Sequence, residues 1–219
     1  MLNSFRAQPY FFALFGAYVL LGAGLLRQFP KGTLELWWNQ RHQPWLDATM
    51  PYLTHLGDGI FFSLVILLLL FVSYYKALVA ALSFGLTGLI VQALKRTVFA
   101  DVPRPKAFFG EQADLHFALS KDLVHCCHSF PSGHSTSAFA VFFLLAYFSR
   151  QQPAWGLLWF ALALVASLSR IYLLQHFFVD TYFGALLGVG LTWLVVYYAE
   201  QSPRLGKNPV LQRRLRLGK

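Results

Sequence analysis

Three short groups of polar residues interrupt an otherwise apolar chain of 219 residues. Lys95 and Arg96 close one apolar run, with Arg104-Pro105 just beyond; Pro131-Ser132-Gly133-His134 opens another; Ser169-Arg170, His176 and Asp180 bracket a third junction. Ionisable side chains near membrane depth are costly and mark function by default. Lys95, Arg104 and Arg170 are fixed cations, and arginine can grip an oxyanion with two parallel N–H groups. Ser132 and the amides around Gly133, at the start of a helix, add neutral donors. His176 and Asp180 are four residues apart and so share a helix face, where the carboxylate can fix the imidazole tautomer and leave the second nitrogen free to attack. His134, on a different helix, can move protons to and from a leaving oxygen. Transfer of a phosphoryl group is catalysed largely by positioning and by stabilising charge on its equatorial oxygens, and these residues supply both without a metal. The residues alone leave open which histidine attacks, and whether Lys95 or Arg96 reaches the anion.

The elements that must hold these groups follow from composition. The chain is 57% hydrophobic and 12% charged, with a mean hydropathy of +0.50, which is too apolar for an ordinary soluble domain. Apolar runs over Tyr10–Leu26, Gly59–Tyr75, Ala77–Phe99, Ser135–Phe148, Ala154–Leu174 and Phe177–Ala199 predict an all-α polytopic membrane protein, six spans in one bundle. The fourth run is short, so its entry is placed in Pro131–His134. Arg6 before the first run imitates a signal peptide, but Arg27, Gln28, Phe29 and Pro30 follow it where a small-residue cleavage site belongs, and an uncleaved anchor is expected. Alternating the spans brings all three polar groups to one side of the membrane.

The net charge of +9 is answered by the bilayer rather than by nucleic acid. Arg204, Lys207, Arg213, Arg214, Arg216 and Lys219 form a basic tail over 201–219, which the positive-inside rule puts in the cytoplasm beside anionic headgroups. Both termini are then cytoplasmic, the inner connections carry Lys76 and Arg150, and the polar groups face outward.

The second and third groups, Pro131-Ser132-Gly133-His134 and Ser169-Arg170-x5-His176-x3-Asp180, resemble two signatures of the type-2 phosphatidic acid phosphatase superfamily. A first signature, a lysine followed six residues later by Arg-Pro, is matched with a longer gap: eight residues separate Lys95 from Arg104-Pro105. The resemblance covers roughly 95–190 of a single domain over 1–219, and the six-helix architecture of that family fits the rest. It implies a lipid phosphate as substrate, a phosphohistidine on His176, Asp180 as its orienter, His134 as acid and then base, phosphate bound by Lys95, Arg104, Ser132, Gly133 and Arg170, and no metal or other cofactor. It also implies a bacterial inner-membrane enzyme whose site faces the periplasm or exterior.

Other features receive plainer readings. Arg27–Asp58 mixes Trp37, Trp38, Trp45 and Tyr52 with Lys31, Glu35, Arg41 and Asp47, as suits an interfacial helix between the first two spans. Ala100–Phe130, the longest polar stretch, carries Asp101, Lys106, Glu111, Asp114, Lys121 and Asp122, and connections of that length are often functional. Gly184 and Gly188 permit close helix approach inside the chain. His55, His116, His125 and His128 are read as satisfied structural groups. His125-Cys126-Cys127-His128 invites a zinc reading, but contiguous ligands do not wrap one tetrahedral ion; the two cysteines are consistent either with a vicinal disulfide or with free thiols. Two rival functions remain: transfer of the phosphate from His176 to an acceptor alcohol, and transport, which the confinement of charge to one face disfavours.

Overall fold

The computed structural model describes residues 8–110, 114–206 and 208–216, so Arg6, Glu111, Lys207 and Lys219 lie outside the described residues. Every extended element among the described residues is a helix. The chain runs through α1 (Pro9–Gln28), α2 (Thr33–Asn39), α3 (Pro44–Leu53), α4 (Gly59–Leu70), α5 (Tyr74–Ala93), α6 (Pro105–Phe109), α7 (Gly133–Phe148), α8 (Trp155–Tyr172), α9 (Phe178–Gln201) and α10 (Pro203–Gly206). Local chemistry sets several starts. Proline opens α1, α3 and α6, where its missing N–H is no loss. Asp58 caps α4 by accepting from the Phe61 amide at 2.7 Å, and the Ser132 hydroxyl oxygen caps α7 by accepting from the Ser135 amide at 3.3 Å, as N-cap side chains do.

The bundle is organised around α7. Eleven of its sixteen residues are buried, on every side of the helix, which is the signature of an interior rather than a lipid-facing helix. It packs between α8 and α9, with α5 and α4 completing its surround. Gly184 and Gly188 let α9 lie against it: a Cβ on Gly184 would stand 2.7 Å from the Ser132 carbonyl oxygen, and one on Gly188 2.4 Å from that of Thr136. The Gly-x-x-x-Gly pattern thus serves packing within the chain. Phe139, Phe142 and Phe143 of α7 fill the space toward α1, α4 and α8, meeting Phe11, Phe61 and Phe160.

Four helical segments are long and apolar enough to cross a bilayer: Pro9–Gln28, Tyr74–Val98, Trp155–Tyr172 and Phe178–Gln201. A fifth arises if Pro44–Gly57 and Gly59–Leu70, bent by 53° at their junction, count as one broken span. The run expected over Gly59–Tyr75 ends as helix at Leu70 and turns at 71–73. With twelve residues, α4 rises only about 18 Å, and sixteen-residue α7 about 24 Å, against roughly 30 Å of hydrocarbon; α7 is enclosed by neighbours along its length. Between α1 and α4 lie two helices, α2 and α3, where one was expected.

The connectivity fixes which ends meet. The C-terminal ends of α5 and α8 and the N-terminal ends of α7 and α9 gather at one end of the bundle, as the alternation of spans requires. At the other end the tail folds back on the α4–α5 turn, where Leu215 donates to Leu70, Tyr74 to Arg213 and Tyr75 to Leu211 through the backbone. A cavity of about 600 Å³ lies at that end among Lys76, Tyr147, Arg150 and Glu200. It holds none of the motif residues.

Candidate active site

His176 sits in the turn between α8 and α9 and is 1% exposed. The turn is shaped by Leu174, whose φ of 53° lies in the left-handed region, unusual for a bulky residue and of the kind that concentrates at functional sites. That bend lets the amides of Gln175 and His176 both donate to the Arg170 carbonyl, at 2.9 and 3.2 Å. The backbone therefore ties the predicted nucleophile to a predicted cation. Asp180, on the first turn of α9, collects three donors on Oδ2: the Ser129 hydroxyl at 2.5 Å, the Phe177 amide at 2.9 Å and His176 Nδ1 at 3.4 Å. The amide contact is half of a capping box, so Asp180 both starts the helix and faces the imidazole.

The three cations converge on this pair. Lys95 lies in a π-turn over Leu94–Val98, is 8% exposed and donates to the His128 carbonyl at 2.6 Å. A π-turn takes more residues per turn than an α-helix and commonly marks functional sites; it absorbs part of the longer gap to Arg104. Arg96 on the same turn is exposed, which resolves the choice in favour of Lys95 as the buried cation. Arg104 donates through Nε to the Cys127 carbonyl at 2.8 Å, and through Nη1 to the Gln175 side-chain and backbone oxygens at 3.0 and 3.1 Å. Arg170 donates through Nη1 to Thr54 Oγ1 at 2.8 Å, while its Nε and Asp180 Oδ1 are buried with no partner. Burial first, and then the charges of Arg104, Arg170 and Lys95, hold the His176 imidazole well below the ordinary histidine value. It is neutral in the substrate-free protein at neutral pH, with a lone pair available.

The segment His125–Ser129 has a structural task that its side chains disguised. Its backbone carbonyls hold the cations: Cys126 accepts from the Arg104 amide, Cys127 from Arg104 Nε and His128 from Lys95 Nζ. Cys126 and Cys127 are free and exposed, their sulfurs 2.7 Å apart. A cavity of about 520 Å³ lies over Lys95, Arg104 and this segment.

His134, on the first turn of α7, opens into a separate cavity of about 270 Å³ between Gly57, Phe84, Gly88 and Val91. Gln92 lines both cavities, so they adjoin, and His134 is close enough to act on His176 electrostatically. Ser132, at the start of α7, keeps its hydroxyl proton free to donate. Its amide donates to the Asp180 carbonyl at 3.0 Å and its hydroxyl oxygen caps α7 as an acceptor, which leaves the hydroxyl proton and the amides of Gly133 and His134 as donors for a ligand at this helix start.

Thr54, Ser129 and Gln175 belong to the site without having been singled out in the sequence. Gln175 and Ser129 neighbour motif residues, which was the available signal; Thr54 arrives from the α3–α4 turn with none. That turn presses on the site, since a Cβ on Gly57 would fall 2.6 Å from the His134 carbonyl oxygen.

A helical membrane fold that buries a histidine–carboxylate pair beneath three cations defines a membrane enzyme that handles phosphate. The chain belongs to the PAP2 superfamily, whose family model matches residues 76–204. It is 31% identical over 176 residues to phosphatidylglycerophosphatase B of Bacillus subtilis, covering 74% of this chain and 79% of that one. Among solved structures it resembles LpxE of Aquifex aeolicus, with a TM-score of 0.67 and 25% identity over 79% of this chain and 99% of that one. It also resembles a transmembrane PAP2-type phosphatidylglycerolphosphate phosphatase from Bacillus subtilis, with a TM-score of 0.61 and 25% identity over 90% and 97% of the two chains. The phosphatase class expected from the sequence is the class that the Bacillus relatives' names carry.

Proposed function

We propose that the protein is a lipid phosphate phosphatase that hydrolyses its substrate through a phosphohistidine on His176. The observation that carries this reading is the buried His176–Asp180 pair set among Lys95, Arg104 and Arg170, with Arg170 Nε and Asp180 Oδ1 still unpartnered. The three cations and the amides of Gly133 and His134 take the nonbridging oxygens. Asp180 accepts a hydrogen bond from Nδ1–H, which stays on the ring, and Nε2 attacks phosphorus as the bond to the ester oxygen breaks. The 3.4 Å contact shortens as positive charge develops on the ring, in keeping with catalytic hydrogen bonds that tighten in the transition state. His134 protonates the departing lipid oxygen and then takes a proton from the water that attacks the phosphohistidine, releasing phosphate and restoring His176. Three side-chain cations do the electrostatic work that a metal would do elsewhere, so the route needs none.

The substrate is a membrane lipid with a terminal phosphate, of the class named for the relatives: phosphatidylglycerophosphate first, with phosphatidic acid, undecaprenyl diphosphate and lipid A phosphates presenting the same group. The protein crosses the membrane six times, with α4 and α7 as short crossings sheltered by their neighbours. The site end faces the exterior or periplasm and the basic tail the cytoplasm.

The testing experiment is rapid mixing of purified protein with radiolabelled lipid phosphate, followed by denaturation and measurement of acid-labile label. Wild type should give transient label and His176→Ala neither label nor turnover. His134→Ala should retain label on a substrate with a good leaving group while losing ~10²–10⁴-fold in turnover. Label that persists in His176→Ala but vanishes in His134→Ala overturns the assignment of the two histidines.

A further inference from the structure

Away from the phosphate site, the fold brings together three groups that lie far apart in sequence. His42 follows α2, Asp47 lies on the first turn of α3, and His116 comes from the long α6–α7 connection. The His42 and His116 rings stack face to face, with centroids 3.6 Å apart and planes at 9°. His116 Nε2 lies 3.0 Å from Asp47 Oδ2, and one donor atom from each of the three falls within 4.8 Å of the others.

Each member is fixed by further contacts. Asn39 exchanges two hydrogen bonds with the His116 backbone, its Nδ2 donating to the carbonyl at 2.7 Å and its Oδ1 accepting from the amide at 3.0 Å. The Tyr172 hydroxyl donates to Asp47 Oδ1 at 2.5 Å, leaving Oδ2 as the free ligand oxygen. The His42 ring has no hydrogen-bond partner among the described residues.

We infer that His42, Asp47 and His116 form a site for a divalent transition-metal ion, zinc being the best match. Two imidazoles and one carboxylate are a common zinc donor set, and tetrahedral bonds of 2.0–2.1 Å place ligand atoms about 3.3 Å apart. The 3.0 Å His116–Asp47 spacing already fits; an imidazole lone pair lies in its ring plane, so joining His42 to the same ion requires its ring to turn out of the face-to-face stack with His116. The partly exposed side leaves a fourth position for water. Hydrogen bonds from Asn39 and Tyr172 orient the ligands in the way that outer partners fix metal sites.

Such an ion staples three segments: the α2–α3 elbow, the α6–α7 connection and, through Tyr172, the end of α8 two residues beyond Arg170. The same connection holds Lys95 and Arg104 by its carbonyls, so the site is a clamp on the loop that positions the cations. It takes no part in phosphoryl transfer, and its existence does not depend on the identity of the substrate.

The test titrates zinc chloride into full-length, detergent-solubilised protein purified without a polyhistidine tag and stripped with chelator, read by calorimetry. Cobalt(II) spectra report the ligand geometry. Wild type should bind one ion per chain and show the intense visible bands of a tetrahedral cobalt site. His42→Ala and His116→Ala should each weaken binding at least tenfold, whereas His125→Ala should not change it. His42 makes no hydrogen bond that the fold needs, so His42→Ala tests the ligand set without threatening the loop. Absence of saturable binding in wild type, or binding unchanged in both His42→Ala and His116→Ala, overturns the inference.

Discussion

Replacing Gly184 by alanine tests whether the contact between α7 and α9 sets the geometry of the active site. The added Cβ would sit 2.7 Å from the Ser132 carbonyl oxygen and 3.1 Å from Ser135 Cβ, where ordinary contact begins at 3.4 Å. Backbone at the buried start of a packed helix has little room to yield, so the helices must part by about 0.7 Å. One of them carries His134 and the other Asp180. Overpacking of this kind costs about 1–3 kcal/mol, a fall in Tm of roughly 3–10 °C for a chain of this size. A shift approaching 1 Å at the reacting groups lowers kcat by about 10–100-fold. At Gly188 the overlap is deeper, 2.4 Å to the Thr136 carbonyl, but it lies a turn farther from the motif. Gly188→Ala should therefore lose more Tm and less kcat than Gly184→Ala. Gly190, with nothing within 4 Å of its built Cβ, is the control, and its alanine variant should match wild type in both. The assays are thermal unfolding in detergent and phosphate release from a lipid phosphate under saturating conditions. Wild-type kcat in Gly184→Ala, or a Gly190→Ala variant as impaired as it is, refutes the claim that this contact positions the site.

Lys95→Ala and Arg170→Ala should each lower kcat/KM by about 10²–10³-fold, the usual cost of removing one charge-stabilising donor, whereas exposed Arg96→Ala should cost less than about fivefold; equal losses at Lys95 and Arg96 contradict the buried-cation assignment. The depressed His176 means that, as pH falls, the unfolded chain takes up that proton before the folded protein does. Its contribution to stability is complete above the unfolded value of about 6.5, declines below it and levels off once pH passes the folded value. Unfolding midpoints of wild type and His176→Ala should thus converge as pH drops from about 7 to 5, and parallel curves over that range remove the inferred shift. Phosphate release by His42→Ala, which lacks the inferred zinc clamp, should survive EDTA, and loss of its turnover restored by a defined divalent ion replaces the metal-free route.

How far the sequence reached depends on the range of the interaction. The ends of α5, α7, α8 and α9 meet because apolar runs alternate direction, and that is legible from hydropathy. The His176–Asp180 pairing is one helical turn in reach and equally legible, although the carboxylate's further partner Ser129 requires the path of the α6–α7 connection. Lys95 was separable from Arg96 only through the π-turn, which depends on the backbone's response to its neighbours. Span lengths were overread at α4, because an apolar run says nothing of the turn at 71–73 or of the 53° bend before Gly59. The cluster of His42, Asp47 and His116 had no sequence signal, since no fixed spacing links a helix elbow to a loop some seventy residues later. His116 was read as a structural group, and its hydrogen bonds to Asn39 fit that reading as well as they fit ligand support.

The free protein carries an electrostatic imbalance that only a ligand of the right charge corrects. Lys95, Arg104 and Arg170 are each less than a tenth exposed, and the carboxylate that faces them from α9 is Asp180, already engaged by Ser129, Phe177 and His176. Backbone carbonyls of Cys127, His128 and Gln175 and the Thr54 hydroxyl stand in as acceptors, but these are neutral dipoles. Burying cations without full counter-charge is expensive, and the unpartnered Arg170 Nε is the visible remainder of that cost. A phosphomonoester dianion supplies the two missing negative charges and acceptors in fork geometry. Under the mechanism proposed above, binding in this way would hold the oxygens most tightly where charge accumulates as phosphorus passes to His176. The same cations suppress protonation of the imidazole, so the features that bind the anion also keep its attacker in the reactive form. The inward charges are mostly positive, and the transfer of a phosphoryl group to nitrogen proposed above is the reaction that this arrangement would serve.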